Sequence, residues 1–120
     1  VSGASAVYQG GFITYSDASK TKFLGILKRN LNKYTAVSEE IAIEMARSVR
    51  AQFKADYAIS TTGVAGPGRS YGQKAGTVWI AVDGPLGTTS VLLALSGTRA
   101  EIRRATIESA LATFTRILVL

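Results

Sequence analysis

The 120-residue sequence contains no histidine and no cysteine, and these two absences remove the commonest catalytic sets. A Ser-His-Asp triad, a cysteine nucleophile and a His/Cys metal cage all need residues that are not here. Acid-base or covalent chemistry within the sequence falls to hydroxyls, lysine, tyrosine or carboxylates. Without cysteine there is no disulfide, which agrees with a reducing compartment. Long apolar runs are missing too: none reaches the roughly 18 residues a membrane-spanning helix needs. The opening Val1-Ser2-Gly3-Ala4-Ser5 lacks the basic and apolar regions of a secretory leader. The expectation is a cytoplasmic protein without a membrane partner. Internal repeats and low-complexity linkers are also absent.

A hydrophobic content of 47% with 18% charged residues describes a chain able to build one core, expected as a single domain over 1–120. Fourteen Lys/Arg against eight Asp/Glu leave a net charge of +6, which favours anionic partners such as phosphate-bearing metabolites or nucleic acid. The basic residues are scattered from Lys20 to Arg116, with no long basic run and no aromatic-interleaved strand. That distribution argues against nucleic acid and for a small anion.

Gly10-Gly11-Phe12-Ile13-Thr14-Tyr15 is β-branched and aromatic and predicts a strand, with Ser16-Asp17 capping a short helix over about 18–25. Ser38, followed by Glu39 and Glu40, caps a longer helix whose Ile41, Met45, Val49 and Phe53 form an i, i+4 core stripe. Strands are predicted over 56–62, 76–82 and 88–95, the last two as a hairpin turning through Asp83-Gly84-Pro85-Leu86-Gly87 with a longer loop. Thr98 with Glu101 forms a capping box for a final helix, whose expected buried face is Ile107, Leu111, Phe114 and Leu118. The order β-α-α-β-β-β-α predicts a layered α/β domain with a mixed sheet, because the crossover after the first strand permits a parallel pair.

Three features carry chemistry. Tyr15 and Lys20 flank the first strand-to-helix junction; an ammonium near a phenol lowers the phenol pKa, and a desolvated lysine can act as a base, though an edge tyrosine and a solvated lysine account for the pair as well. Gly63 to Ser70 nearly spells a phosphate-binding loop, but Arg69 replaces the lysine, Pro67 removes a donor and a strand follows instead of a helix. What remains is a glycine-rich loop with hydroxyls at a strand end, suited to a polar ligand or to a plain connector. Ser96-Gly97-Thr98-Arg99 opens the last helix, where the helix dipole and Arg99 favour an anion, with Arg103 one turn on; a capped helix with exposed arginines accounts for it equally.

In order along the chain, Gly11-Phe12-Ile13-Thr14-Tyr15-Ser16 with Lys20, Ala36-Val37-Ser38-Glu39, Thr62-Gly63-Val64-Ala65-Gly66-Pro67, Gly76-Thr77-Val78-Trp79-Ile80-Ala81 and Ser96-Gly97-Thr98-Arg99 resemble the CinA C-terminal domain family over nearly the whole chain. The resemblance implies a nicotinamide-nucleotide amidohydrolase, converting nicotinamide mononucleotide (NMN) and water to nicotinic acid mononucleotide and ammonia, with no metal or organic cofactor. It implies Tyr15 and Lys20 as catalytic residues, and Thr62, Gly63 and Arg99 as substrate-binding ones. It also implies a serine nucleophile in a glycine-containing segment upstream of Val1. The expectation is therefore an N-terminally incomplete domain lacking a helix-strand-helix, acting as a homo-oligomer. The alternative is a non-catalytic module that binds nucleotide phosphate. Ala75 and Arg69-Ser70-Tyr71 depart from the family pattern beside the glycine loop.

Overall fold

The computed structural model describes residues 1–119. Four α-helices and three strands follow a short 3-10 turn at Ala4–Ala6: α1 Asp17–Leu24, α2 Lys28–Tyr34, α3 Glu39–Phe53, β1 Ala58–Gly63, β2 Thr77–Gly84, β3 Gly87–Ala94 and α4 Arg99–Leu118. Among the described residues no helix is long and apolar enough to cross a membrane.

The sheet has the order β1-β2-β3 with both pairings antiparallel. β2 is central, and its Val78, Ile80, Ala81 and Val82 are buried. The α/β layering follows the sequence, but the parallel pair of a mixed sheet does not form. Gly10 to Tyr15 lies outside any strand. The segment is anchored by aromatic contact instead, Phe12 meeting Phe23 at 6.1 Å and Phe53 at 5.7 Å between ring centroids. Strand propensity describes fit to a pleated, half-buried surface, and Ile13 and Tyr15 have no such surface here: they are 88% and 77% exposed.

Side-chain caps start the helices where local chemistry dictates. Ser16 and Ser19 cap α1 reciprocally, Ser38 accepts from Ile41 N–H at the head of α3, and Thr98 with Glu101 forms the capping box of α4. α2, which the sequence reading did not place, is short and starts without a side-chain cap or an acidic first turn. The β2–β3 hairpin closes tightly, with Gly84 paired to Gly87 across Pro85-Leu86.

One sheet face carries α3, the other α4. α3 turns Ile41 to a cluster with Leu24, Ile26 and Leu31, and turns Ala42 and Ala46 to Ala81 on the sheet, where all three are fully buried. Alanines let the helix lie close to the strands. On the opposite face α4 buries Ile102, Ala110 and Thr113; of the face expected from hydrophobicity, Phe114 is half-buried against Tyr57 with ring centroids 5.4 Å apart, while Ile107, Leu111 and Leu118 are more than half exposed. Threonine can take the inner side because its hydroxyl is satisfied within the helix: Thr106 and Thr113 donate to the carbonyls of Ile102 and Ser109 at 2.8 Å.

At the interface of α3 with the sheet there is no room for added volume. Ala46→Leu is expected to destabilise the fold by about 1–3 kcal/mol through overpacking, read as a lower urea midpoint with an unchanged m-value. A midpoint equal to wild type would mean the helix is not seated on these alanines.

Candidate functional site

A cavity of about 690 Å³ borders β1, the edge strand of the sheet, and is lined by Thr62 and Gly63 of that strand, by Tyr15 and Lys20, and by Arg99. The five residues singled out in the sequence therefore line one space. The structure does not join Tyr15 to Lys20 by a hydrogen bond. The Tyr15 ring is mostly in solvent, whereas Lys20 is 6% exposed and its Nζ donates to the Thr14 carbonyl at 3.0 Å.

Lys20 is buried because α1 turns it inward one turn before Leu24. The helix is held in that rotation by α3: Gln52 Nε2 donates to Phe23 O at 2.7 Å, and Ser48 Oγ donates to Leu24 O. Removing the ammonium from water pushes the Lys20 pKa below its ordinary 10.5, partly opposed by the Asp17 carboxylate. Such an amine holds its proton less firmly than a surface lysine, as a general base requires.

Thr62 lies at the cavity, but its hydroxyl is committed to the fold. It is buried under α3 and donates to Ala36 O at 2.6 Å. Alternation along the strand sends the Thr61 side chain to the opposite face, where it is exposed, lines the cavity and has no hydrogen bond from its hydroxyl among the described residues. Gly63 is also explained by packing, since a Cβ there would meet Val78 Cγ2 at 2.7 Å and Thr77 O at 2.9 Å. Its small size serves the close approach of β2.

The lining of the cavity is cationic. Arg69, Arg99 and Arg103 line it with Lys20, and no Asp or Glu does. Arg99 Nη1 donates to Gly66 O at 2.9 Å, tying the start of α4 to the glycine loop. The capping box sets where Arg99 sits: Thr98 N–H donates to Glu101 Oε1 at 2.9 Å, a bond that lowers the Glu101 pKa. Among the described residues no group of three or more Asp, Glu, His or Cys gathers where a metal could be held. Thr61 and Arg69 went unassigned in the sequence. Strand parity would have pointed to Thr61, but nothing local to Arg69 marks it.

A model described as the CinA C-terminal domain matches residues 1–118. A CinA-like protein of Amoebophilus asiaticus is 48% identical over 82 residues, 68% of this chain and 20% of the relative. One from Fervidobacterium nodosum is 39% identical over 105 residues, 87% of this chain and 26% of the relative. The crystal structure of the competence damage-inducible protein A of Klebsiella pneumoniae superposes with a TM-score of 0.95 at 31% identity, covering 99% of this chain and 74% of that one. The chain spans about a quarter of the length of the curated relatives it matches.

Two tests separate structural from chemical roles. Thr62→Val leaves Ala36 O without its buried donor and is expected to cost about 1–3 kcal/mol, while Thr62→Ser keeps the bond and most of the stability; equal urea midpoints for the two would exclude that role. For Lys20 the sign follows from the lowered folded pKa. The unfolded chain keeps the proton up to 10.5, so burying the ammonium costs stability below the folded pKa, and the cost fades as pH rises towards the unfolded value. Wild-type stability relative to Lys20→Met is thus expected to increase as pH is raised from neutral towards 10.5. A difference independent of pH would mean that Lys20 titrates like a free amine.

Proposed function

The chain belongs to the CinA C-terminal domain family, and from that premise we propose that its cavity binds NMN and serves its hydrolysis to nicotinic acid mononucleotide and ammonia. The observation that carries this reading is a single cavity lined by a desolvated lysine, by three arginines and by no carboxylate. A substrate with an uncharged amide to cleave and a phosphate to anchor matches that polarity.

In the proposed mechanism a serine, which the family resemblance assigns to a segment N-terminal to Val1, attacks the carboxamide carbon. Its hydroxyl proton passes to neutral Lys20 Nζ, and the carbonyl π electrons move to oxygen. As the tetrahedral intermediate collapses, the carbon–nitrogen bond breaks and the proton on Lys20 goes to the departing nitrogen, releasing ammonia. Water then attacks the acyl ester, giving its proton to Lys20, which returns it to the serine oxygen as the acid leaves. Tyr15, at the mouth, orients the substrate or relays the proton. Backbone groups on the free edge of β1 near Thr62 and Gly63 polarise the carbonyl, and Arg99 belongs to the anion-binding group.

A second reading, nucleotide binding without hydrolysis, is favoured by one fact: three arginines and no carboxylate line the cavity, which suits an anion whether or not it is hydrolysed. One assay distinguishes the two. Full-length protein incubated with NMN is expected to release ammonia and form nicotinic acid mononucleotide by mass spectrometry, and Lys20→Met is expected to slow this by at least about a hundredfold, as for loss of a general base. Unchanged turnover in the variant removes Lys20 from the mechanism. Saturable NMN binding with no ammonia released would establish the binding reading instead.

A further inference from the structure

The three arginines of the cavity are not equivalent. Arg69 Nη2 donates to Gly72 O at 3.2 Å and Arg99 Nη1 donates to Gly66 O at 2.9 Å, so each has a guanidinium nitrogen engaged in holding the loop between β1 and β2. Arg103 lines the same cavity one helical turn beyond Arg99. It makes no hydrogen bond to a side chain or carbonyl and no ion pair among the described residues, and no carboxylate lines the space it borders. Thr61, whose hydroxyl is likewise unengaged, lines that space from the α4-facing side of β1.

On the reading of this cavity as a nucleotide site, we propose that Arg103 is the residue that selects for a terminal phosphate monoester, and that Arg99 is a positioning residue that holds the Gly66 loop against α4. A phosphomonoester carries close to two negative charges at neutral pH and presents oxygens at the spacing of a guanidinium fork. A guanidinium already bonded to a loop carbonyl must share or break that bond to meet it squarely. Arg103 has no such bond to give up, and no carboxylate offsets its charge. Thr61 adds a neutral donor across from it. The division explains why two arginines occur one turn apart: the first shapes the wall and the second reads the ligand.

The test is calorimetric binding of NMN, nicotinamide riboside and inorganic phosphate to the full-length protein, with amide exchange followed over residues 66–72. Arg103 is exposed, so Arg103→Gln leaves the core intact; it is expected to weaken NMN and inorganic phosphate by about tenfold or more, the worth of a charge-assisted hydrogen bond, and to leave the riboside unchanged. Arg99→Gln is expected to speed exchange in the loop and to weaken NMN and riboside by a similar factor, with Arg99→Lys restoring part of both. Wild-type phosphate affinity in Arg103→Gln would overturn the proposal. So would Arg99→Gln losing phosphate affinity alone with loop exchange unaltered. Phosphate binding that depends on Arg103, with no preference for a nicotinamide ligand and no ammonia released, would sustain this inference while overturning the amidohydrolase reading.

Discussion

The seating of α3 on β1 is the constraint from which the rest of the structure follows. Two strand hydroxyls point to the same face and reach into the helical layer, Ser60 donating to Ala42 O and Thr62 to Ala36 O. A hydroxyl can make such a bond only if the helix comes close, and the small side chains of Ala42 and Ala46 permit it. From that position α3 supports the cavity in two places. Its Ser48 and Gln52 hold the terminal carbonyls of α1, which sets the rotation that buries Lys20. The approach to its first turn is tied to the glycine loop, because Gln73 Nε2 donates to Val37 O.

The positive charge of the chain acquires meaning only in three dimensions. Along the sequence the basic residues are dispersed, and no run of them predicts a site. In the fold six of the eight acidic residues are occupied elsewhere. Asp17, Glu39, Glu40 and Glu101 sit in the first turns of helices, where the dipole favours them. Asp83 accepts from Thr88 and lies 3.4 Å from Arg50, and Glu44 accepts from Asn30. With no carboxylate lining it, the cavity wall keeps a surplus of positive charge, and an anion entering it meets a field that solvent at the open edge only partly screens.

How much could be read in advance depended on how local the determining interaction was. The caps at Ser16, Ser38 and Thr98 involve residues three apart, and the sequence located each helix start. β1, β2 and β3 were legible from β-branched runs between glycine-rich turns. The extended segment at Gly10–Tyr15 was misread because pairing depends on a neighbouring edge, and what it meets instead is Phe23 and Phe53. The inner face of α4 was misread because threonine counts as polar until its hydroxyl is returned to its own helix. At the candidate site, Tyr15, Lys20, Thr62, Gly63 and Arg99 share one cavity, but which threonine offers its hydroxyl, and which arginine is unengaged, required the facing of β1 and the partners of the glycine loop.

Adjacent threonines at 61 and 62 give the strand a sensitivity to register. One hydroxyl fastens the segment that leads into α3 and the other borders the cavity, and only the parity of the strand decides which does which. A one-residue slip of β1 against β2 turns the strand over without altering its composition: Thr61 and Thr62 exchange faces, and Ser60 leaves its place under α3. The division of labour between two identical side chains is therefore set by a two-residue period and invisible to any comparison of side-chain chemistry.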